Sequence, residues 1–140
     1  MMFLLDTNVV SEFRKAKTGK IDRKVAGWAK EVLPESMFLS VMTILELESW
    51  ILLIQRRDPR QARILRAWMN DLVLPGFAGR ILPVDLEIVQ RCELLHVPDP
   101  RPERDALIAA TAIVHGMTVA TRNVKDFKSM GVAMVNPWEP

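Results

Sequence analysis

Short apolar runs alternate along this chain with longer stretches in which apolar residues recur at helical spacing. The apolar runs predict strands at residues 3–5, 37–41, 81–84, 118–120 and 132–135. The longer stretches predict helices at residues 8–15, 21–32, 43–57, 60–74, 85–95, 106–115 and 125–130. Strands that alternate with helices predict an α/β fold with a mainly parallel sheet. In such sheets the functional site lies beyond the carboxyl ends of the strands.

Length and composition set the expected class of protein. A chain of 140 residues is predicted to form one domain, residues 1–140. Its apolar fraction of 49% and charged fraction of 26% are typical of a globular protein and disfavour a disordered or fibrous one. The net charge of +2 is compatible with a nucleic-acid partner but does not require one.

The cysteine content and the apolar runs also predict where the protein acts. Cys92 is the single cysteine, which excludes an internal disulfide, and we interpret it as a small buried apolar residue in a reducing compartment. The apolar run before Asp6 is too short for the core of a signal peptide. No apolar stretch is long enough to span a bilayer. The sequence therefore predicts a cytoplasmic protein without a membrane segment.

Three acidic residues lie where apolar residues are expected. Asp6 directly follows the first predicted strand, at its carboxyl end. Glu46 shares a helical stripe with Trp50, and Asp105 shares one with Ile108. An unpaired carboxylate on an inward-facing stripe is costly, or it takes up a proton. A bound divalent cation is one way to stabilise such carboxylates.

Each of these acids also has a purely structural interpretation. Asp6 could cap the following helix. Thr43 and Glu46 match the capping-box pattern, in which the acid bonds back to the start of its helix. Asp105 lies near a predicted helix N-terminus, where the backbone dipole favours any acid. Spacing alone does not decide between capping and a shared metal site.

The segment 121–127 places further oxygen-bearing side chains after a strand. Asn123 could cap the next helix or contribute to a ligand shell. Asp126 could be a surface acid or a metal ligand. Both interpretations stay open for both residues.

Four segments resemble, in order, the motifs of the PIN-domain family, particularly its VapC and FitB branch. They are residues 4–12 around Asp6, 40–47 around Glu46, 105–112 from Asp105, and 121–127. Residues 131–138, with Asn136-Pro137-Trp138, resemble the tail of FitB-like members. Each motif alone is weakly specific, but four in order over nearly the whole chain are strongly so. The fourth motif of the family often carries an acid where this chain has Asn123, so the fourth acid is Asp126 or is absent.

The resemblance implies a three-layer α/β/α fold and a metal-dependent ribonuclease. It implies Mg²⁺, or alternatively Mn²⁺, held by Asp6 and Asp105, within a catalytic set that also includes Glu46 and Asp126. Carboxylate oxygens suit these hard cations. Water activated by the cation would attack the phosphodiester, with Glu46 orienting or deprotonating it, which implies 5′-phosphate and 3′-hydroxyl ends.

Supporting residues and partners follow from the same resemblance. The supporting residues would be Thr7, Asn8, Thr121 and Asn123, although capping is the simpler interpretation for several of them. The cations Arg104, Arg122 and Lys125 would contact RNA phosphates, or would merely form a solvated face. The implied partners are an RNA substrate, a cognate antitoxin of the VapB or FitA type, and a second copy of the chain in a homodimer. The protein would then be the toxin of a type II toxin–antitoxin pair.

Two other functions share part of this sequence pattern. A phosphatase of the haloacid type also begins with a strand that ends in Asp, but it requires a second Asp two residues later, where this chain has Asn8. The other alternative is a non-catalytic regulator in which a PIN-like scaffold acts with a DNA-binding antitoxin. The sequence favours this regulator less than the nuclease and more than the phosphatase.

Overall fold

The computed structural model describes all 140 residues, which form five strands and eight α-helices. The strands are β1 (Phe3–Leu5), β2 (Met37–Ser40), β3 (Ile81–Leu82), β4 (Thr118–Ala120) and β5 (Met134–Val135). The helices are α1 (Thr7–Phe13), α2 (Arg23–Glu31), α3 (Val41–Arg57), α4 (Pro59–Trp68), α5 (Leu74–Gly76), α6 (Leu86–Leu95), α7 (Glu103–His115) and α8 (Val124–Phe127). None of these helices combines the length and the apolar composition needed to cross a membrane.

The five strands form one sheet in the order β3-β2-β1-β4-β5, and every pair is parallel. The predicted α/β class with a mainly parallel sheet is therefore confirmed. β3 lies at an edge and ends at Leu82, directly before Pro83, which has no N–H for a sheet ladder. β1 lies at the centre, so the residues that follow it emerge in the middle of the carboxyl edge of the sheet.

Successive residues of β1 pack into different cores because side chains alternate across a strand. Leu5 belongs to a core of 16 buried residues that includes Val9, Leu47 and Leu65, from α1, α3 and α4. Leu4 belongs to a second core of nine buried residues, to which α7 contributes Ile108, Ala109 and Ala112. Helices therefore cover both faces of the sheet, which confirms the expected three-layer arrangement.

Two helices that carry a candidate site residue begin at least two residues earlier than the sequence pattern predicted. α3 begins at Val41 because the hydroxyl of Ser40 accepts the Met42 N–H over 3.0 Å and caps the helix. α7 begins at Glu103, directly after Pro102. The predicted helix 60–74 is interrupted, since a π-helical turn (Met69–Val73) separates α4 from α5.

Candidate metal centre and active site

The carboxyl ends of β1 and β4 bring Asp6 against Thr121. The Asp6 N–H donates to the Ala120 carbonyl over 2.9 Å and extends the ladder between these neighbouring strands. Asp6 Oδ1 accepts the Thr7 N–H over 2.9 Å, so Asp6 does cap α1. Asp6 Oδ2 accepts the Thr121 hydroxyl over 2.8 Å and the side-chain amide of Asn8 over 3.4 Å. One oxygen of the Asp6 carboxylate therefore caps α1, and the other binds the side chains of Thr121 and Asn8.

The environment of Asp6 opposes its ionisation. Asp6 is only 7% exposed, and this burial is the largest cause of a pKa raised above the ordinary value. The charge of Asp126 raises the pKa further. Hydrogen bonds from Thr121, Thr7 and Asn8 act in the opposite sense, because they stabilise the charged form. A nearby cation would favour the carboxylate in the same way.

Glu46 does not take part in a capping box. Its helix is capped by Ser40, three residues before Thr43, so the capping alternative for Thr43 and Glu46 is wrong. Instead, Glu46 Oε1 accepts the Thr7 hydroxyl over 2.8 Å. Thr7 therefore connects the two acids, since its N–H binds Asp6 and its hydroxyl binds Glu46.

Asp105 is the third residue of α7 and is half-buried. Its pKa is raised to about 6, first by burial and then by the charges of Asp6, Asp126 and Glu46. No hydrogen bond offsets these effects on its pKa. The other acids act on Asp105 because the fold brings their charges close together, which the sequence could not establish.

Asp6, Glu46 and Asp105 line a single cavity of about 320 Å³ at the carboxyl edge of the sheet. The remaining lining residues are Thr7, Asn8, Ser11, Trp50 and Asn123. Trp50, which shares a helical stripe with Glu46, also packs against the larger core. Its position four residues after Glu46 was the available signal that it would also form a wall of the cavity.

Asn123 and Asp126, whose roles the sequence left open, have different positions relative to the acidic cavity. Asn123 lines the acidic cavity and occupies the N-cap position of α8, but its side chain makes no capping hydrogen bond. Asp126 is not part of the cavity lining, although its charge raises the pKa values of both Asp6 and Asp105. Thr121 is fully buried and accepts the Asn123 N–H over 3.0 Å, which fixes this loop against Asp6.

The donor set of the acidic cavity fits a hard divalent cation. Its charged side chains are three carboxylates, its neutral polar side chains are hydroxyls and amides, and it contains no sulfur or imidazole ligand. The three carboxylates do not form a triad with one oxygen from each within 4.8 Å of the others. This wider spacing suits an ion that keeps part of its water shell, as Mg²⁺ does.

A second group of possible metal ligands lies between α6 and α7. Cys92, His96 and Glu103 place their ligand atoms within 4.8 Å of one another. However, His96 Nδ1 accepts the Arg101 N–H over 2.9 Å, so a neutral ring carries its proton on Nε2, the atom that faces the other two ligands. Ligating imidazoles usually donate from their other nitrogen. Burial and the charges of Glu103 and Glu93 raise the pKa of the Cys92 thiol to about 11, so the thiol is protonated at neutral pH.

The three cations predicted to contact RNA have different surroundings. Arg122 and Lys125 are exposed and line a cavity that shares Asn123 with the acidic one. Arg104 is exposed in the first turn of α7, next to Asp105 in the chain. None of the three takes part in an ion pair within the protein. They are therefore free to contact an anionic ligand.

Comparison with known proteins supplies independent information. The family model described as PIN domain matches residues 3–132. A VapC ribonuclease, Y4jK of Sinorhizobium fredii, is 36% identical over 144 residues, with 99% of each chain covered. Toxin FitB of Neisseria gonorrhoeae is 34% identical, with 98% of this chain and 99% of the relative covered. The crystal structure of FitAcB from Neisseria gonorrhoeae superposes with a TM-score of 0.88 at 33% identity, covering 99% of this chain and 100% of that one.

Proposed function

Because the chain belongs to the PIN-domain family, we propose that it is a divalent-metal-dependent endoribonuclease and the toxin of a type II toxin–antitoxin module. The observation that carries this proposal is the convergence of Asp6, Glu46 and Asp105, from three separate elements, on one cavity. Similarity over nearly the full length to a VapC ribonuclease and to Toxin FitB supports it. We further propose that residues 1–140 act as a single PIN domain.

Mg²⁺, with Mn²⁺ as a substitute, is the proposed ion, held by Asp6 and Asp105. When bound, it supplies a Lewis acid that neutralises charge on the scissile phosphate and makes water a better nucleophile. The raised pKa values of the two acids in the metal-free protein support this assignment, because burial and, second, repulsion from neighbouring carboxylates disfavour the charged forms that a cation would stabilise.

The chain's own residues position the attacking water. Glu46 is the proposed general base, because one of its oxygens is occupied by the Thr7 hydroxyl and the other is free to accept a proton. Thr7, Asn8 and Thr121 orient the acids through the hydrogen bonds described above. Asn123 presents a neutral oxygen or amide to the cavity, and Asp126 contributes negative charge from outside its lining.

RNA is the proposed substrate, and cleavage is expected to leave 5′-phosphate and 3′-hydroxyl ends. An acid-lined cavity repels RNA unless cations surround it. The exposed cations Arg104, Arg122 and Lys125 are proposed to supply that attraction. The single free cysteine and an RNA substrate both suit the cytoplasmic location expected from the sequence.

An apolar groove provides a seat for the proposed antitoxin. It has a volume of about 240 Å³, and Phe13, Trp68 and Leu72 are among its lining residues. Arg14 also lines this groove, and its guanidinium lies 5.9 Å from the ring centroid of Trp50, which forms a wall of the acidic cavity. An antitoxin helix in the groove could therefore extend a cationic tail towards the acids.

A homodimer remains the expected assembly of the toxin. Exposed apolar residues on one stripe of α3, namely Val41, Leu45 and Leu52, offer a surface for a second copy. The alternative of a non-catalytic regulator is disfavoured, because Asp6 and Glu46 retain an ordered set of hydrogen bonds and share a cavity with Asp105. A vestigial site would not require either.

The proposed activity is tested with protein purified free of antitoxin and incubated with a panel of tRNA, rRNA and mRNA. We expect cleavage with Mg²⁺ or Mn²⁺ and none in EDTA. Asp6→Asn, which keeps a side-chain oxygen to cap α1, should abolish cleavage with the fold intact. Asp71→Asn, at an exposed acid outside the cavity, is the matched control and should cleave normally. No cleavage by the wild type, or equal cleavage by Asp6→Asn, contradicts the proposal.

A further inference from the structure

A second cavity adjoins the acidic one, and its lining includes two of the cations proposed to attract RNA. It has a volume of about 480 Å³, and its lining includes Arg122, Lys125, Asn136 and Trp138. Asn123 lines both cavities. The two cavities are therefore adjacent, and the second lies within reach of a polymer bound in the first.

The walls of the second cavity are fixed by the same residues that orient Asp6. The Arg122 N–H donates to Asn8 Oδ1 over 3.2 Å, and Asn8 also binds Asp6. In the tail after β5, the Trp138 N–H donates to Asn136 Oδ1 over 3.0 Å. The two cavities are thus held in a fixed relation to one another.

The Arg122 guanidinium lies against the indole of Trp138, 5.0 Å from the ring centroid. Trp138 is only 9% exposed and belongs to the larger core, so little of its ring is available to a ligand. Arg122 is exposed and has no ion-pair partner. The result is a planar cation with an aromatic ring on one side and an exposed surface that a ligand can contact.

The charges of this cavity do not favour a simple phosphate site. Arg122 and Lys125 are balanced by Asp126 and Glu139, which also line it. The net charge of the lining is therefore near zero, so charge attraction alone does not explain the arrangement of Arg122. A flat, exposed guanidinium is instead suited to stacking, and RNA-binding proteins do stack unpaired bases on arginine planes.

We infer that the second cavity holds the unpaired nucleotide next to the scissile phosphate, with its base stacked on the exposed guanidinium of Arg122. This inference rests on the proposed ribonuclease function, and it requires the nucleotide to be unpaired, because a base inside a duplex is not free to stack on protein. Trp138 acts as a positioning residue that keeps the guanidinium plane in place.

The inference is tested by binding, without cleavage, in EDTA at low salt. The probes are a fluorescein-labelled hexamer of adenosine nucleotides and an abasic ribose-phosphate hexamer of the same charge, measured by fluorescence anisotropy. We expect the wild type to bind the adenosine hexamer about tenfold more tightly, since one stacked base contributes on that order. Equal binding of the two probes by the wild type overturns the inference.

Variants at Arg122 separate stacking from charge. Arg122→Lys keeps the charge without the plane, so it should lose the preference for the adenosine hexamer and keep the affinity for the abasic one. Arg122→Ala should lose the preference as well. Arg60→Ala, at an exposed arginine of α4 far along the chain, is the control and should keep the full preference. If Arg122→Lys keeps the preference, or if Arg122→Ala weakens both probes equally, stacking on Arg122 is ruled out.

Variants at Trp138 test the positioning role. Trp138→Phe retains an aromatic face and should keep the preference, whereas Trp138→Leu should reduce it towards that of Arg122→Lys, with circular dichroism used to check the fold. If Trp138→Leu does not fold, the Arg122→Lys result decides alone. A wild type that cleaves RNA but binds the two hexamers equally refutes only this subsite. A wild type that shows the preference but never cleaves refutes only the ribonuclease.

Discussion

Thr121 and Asp6 lie 115 positions apart in the chain, yet the threonine hydroxyl donates a hydrogen bond of 2.8 Å to Asp6 Oδ2. The same hydroxyl oxygen accepts the Asn123 N–H over 3.0 Å. One fully buried side chain therefore connects the proposed metal ligand on β1 with the loop after β4. The site is assembled by the parallel pairing of these two strands.

Replacement of Thr121 by Val should weaken metal binding with little change of shape. Val has a similar volume but no hydroxyl, so Asp6 loses a donor that stabilises its charged form and the Asn123 N–H loses its acceptor. We expect the affinity for Mg²⁺ to fall about tenfold to a hundredfold. Thr121→Ser keeps the hydroxyl and should bind within a few-fold of the wild type. Calorimetric titration of both variants measures this, and equal affinities would remove Thr121 from the supporting set.

Loss of the Thr7 hydroxyl should affect turnover more than RNA binding. Thr7→Val leaves its backbone N–H on Asp6 but frees Glu46 Oε1 from its only recorded hydrogen bond. A misoriented base slows the chemical step, so kcat should fall about tenfold while KM is unchanged. Thr7→Ser should restore kcat. A change confined to KM would show that Thr7 acts on substrate binding instead.

The metal-free protein should lose stability as the pH rises from about 4 to about 6. The folded-state pKa of Asp105 is about 6 and its ordinary value is 3.8, so the folded protein holds more protons than the unfolded chain between these values. Asp6 shifts in the same direction. Urea unfolding in EDTA should show this fall, and Asp105→Asn should flatten it and be more stable than the wild type near pH 7. A wild-type stability that rises over this range contradicts the assignment.

Mg²⁺ should reverse this effect and raise the melting temperature. A bound cation favours ionised Asp6 and Asp105, so its stabilising effect should be larger at pH 7.5 than at pH 5, where Asp105 is largely protonated. Thermal unfolding with and without Mg²⁺ at the two pH values measures the difference. The difference should disappear in Asp105→Asn. An equal rise in melting temperature for that variant would place the stabilising ion elsewhere.

A charge placed in the apolar groove should release the antitoxin without loss of ribonuclease activity. Leu72 lines the groove and is 46% exposed, so Leu72→Glu should fold but repel an apolar helix. The measurement is co-purification with an antitoxin expressed from the neighbouring reading frame, together with RNA cleavage by the free toxin. Val97→Glu, at an exposed apolar residue outside the groove, should still co-purify. If Leu72→Glu still retains the antitoxin, the antitoxin binds at another surface.

Most of the fold could be predicted from the sequence because its signals are local. The apolar run Phe3–Leu5 and the turn at Gly116, which has φ of 66°, mark element ends through the conformational preferences of single residues. Helix starts were harder to predict. The capping of α3 by Ser40 competes with a capping pattern at Thr43, whose hydroxyl instead donates to the Leu5 carbonyl at the end of β1 over 3.4 Å.

The site itself could be predicted only in part. Asp6 was detectable as an acid at the end of an apolar strand, and Glu46 and Asp105 as acids on apolar stripes. Their convergence depends on strand order, which is a long-range property. The roles of Asn123 and Asp126 depend on a loop whose conformation is set by a contact with Thr121, far away in sequence. The Cys92 and His96 contact was not predicted, since its two residues are unremarkable when taken singly.

The location of a bound ion tests the central claim most directly. Anomalous scattering from crystals grown with Mn²⁺ shows which residues the bound ion contacts. Our account predicts one strong peak in the acidic cavity, in contact with the carboxylates of Asp6 and Asp105. A peak at Cys92, His96 and Glu103 instead, or an acidic cavity without metal at saturating Mn²⁺, would contradict it.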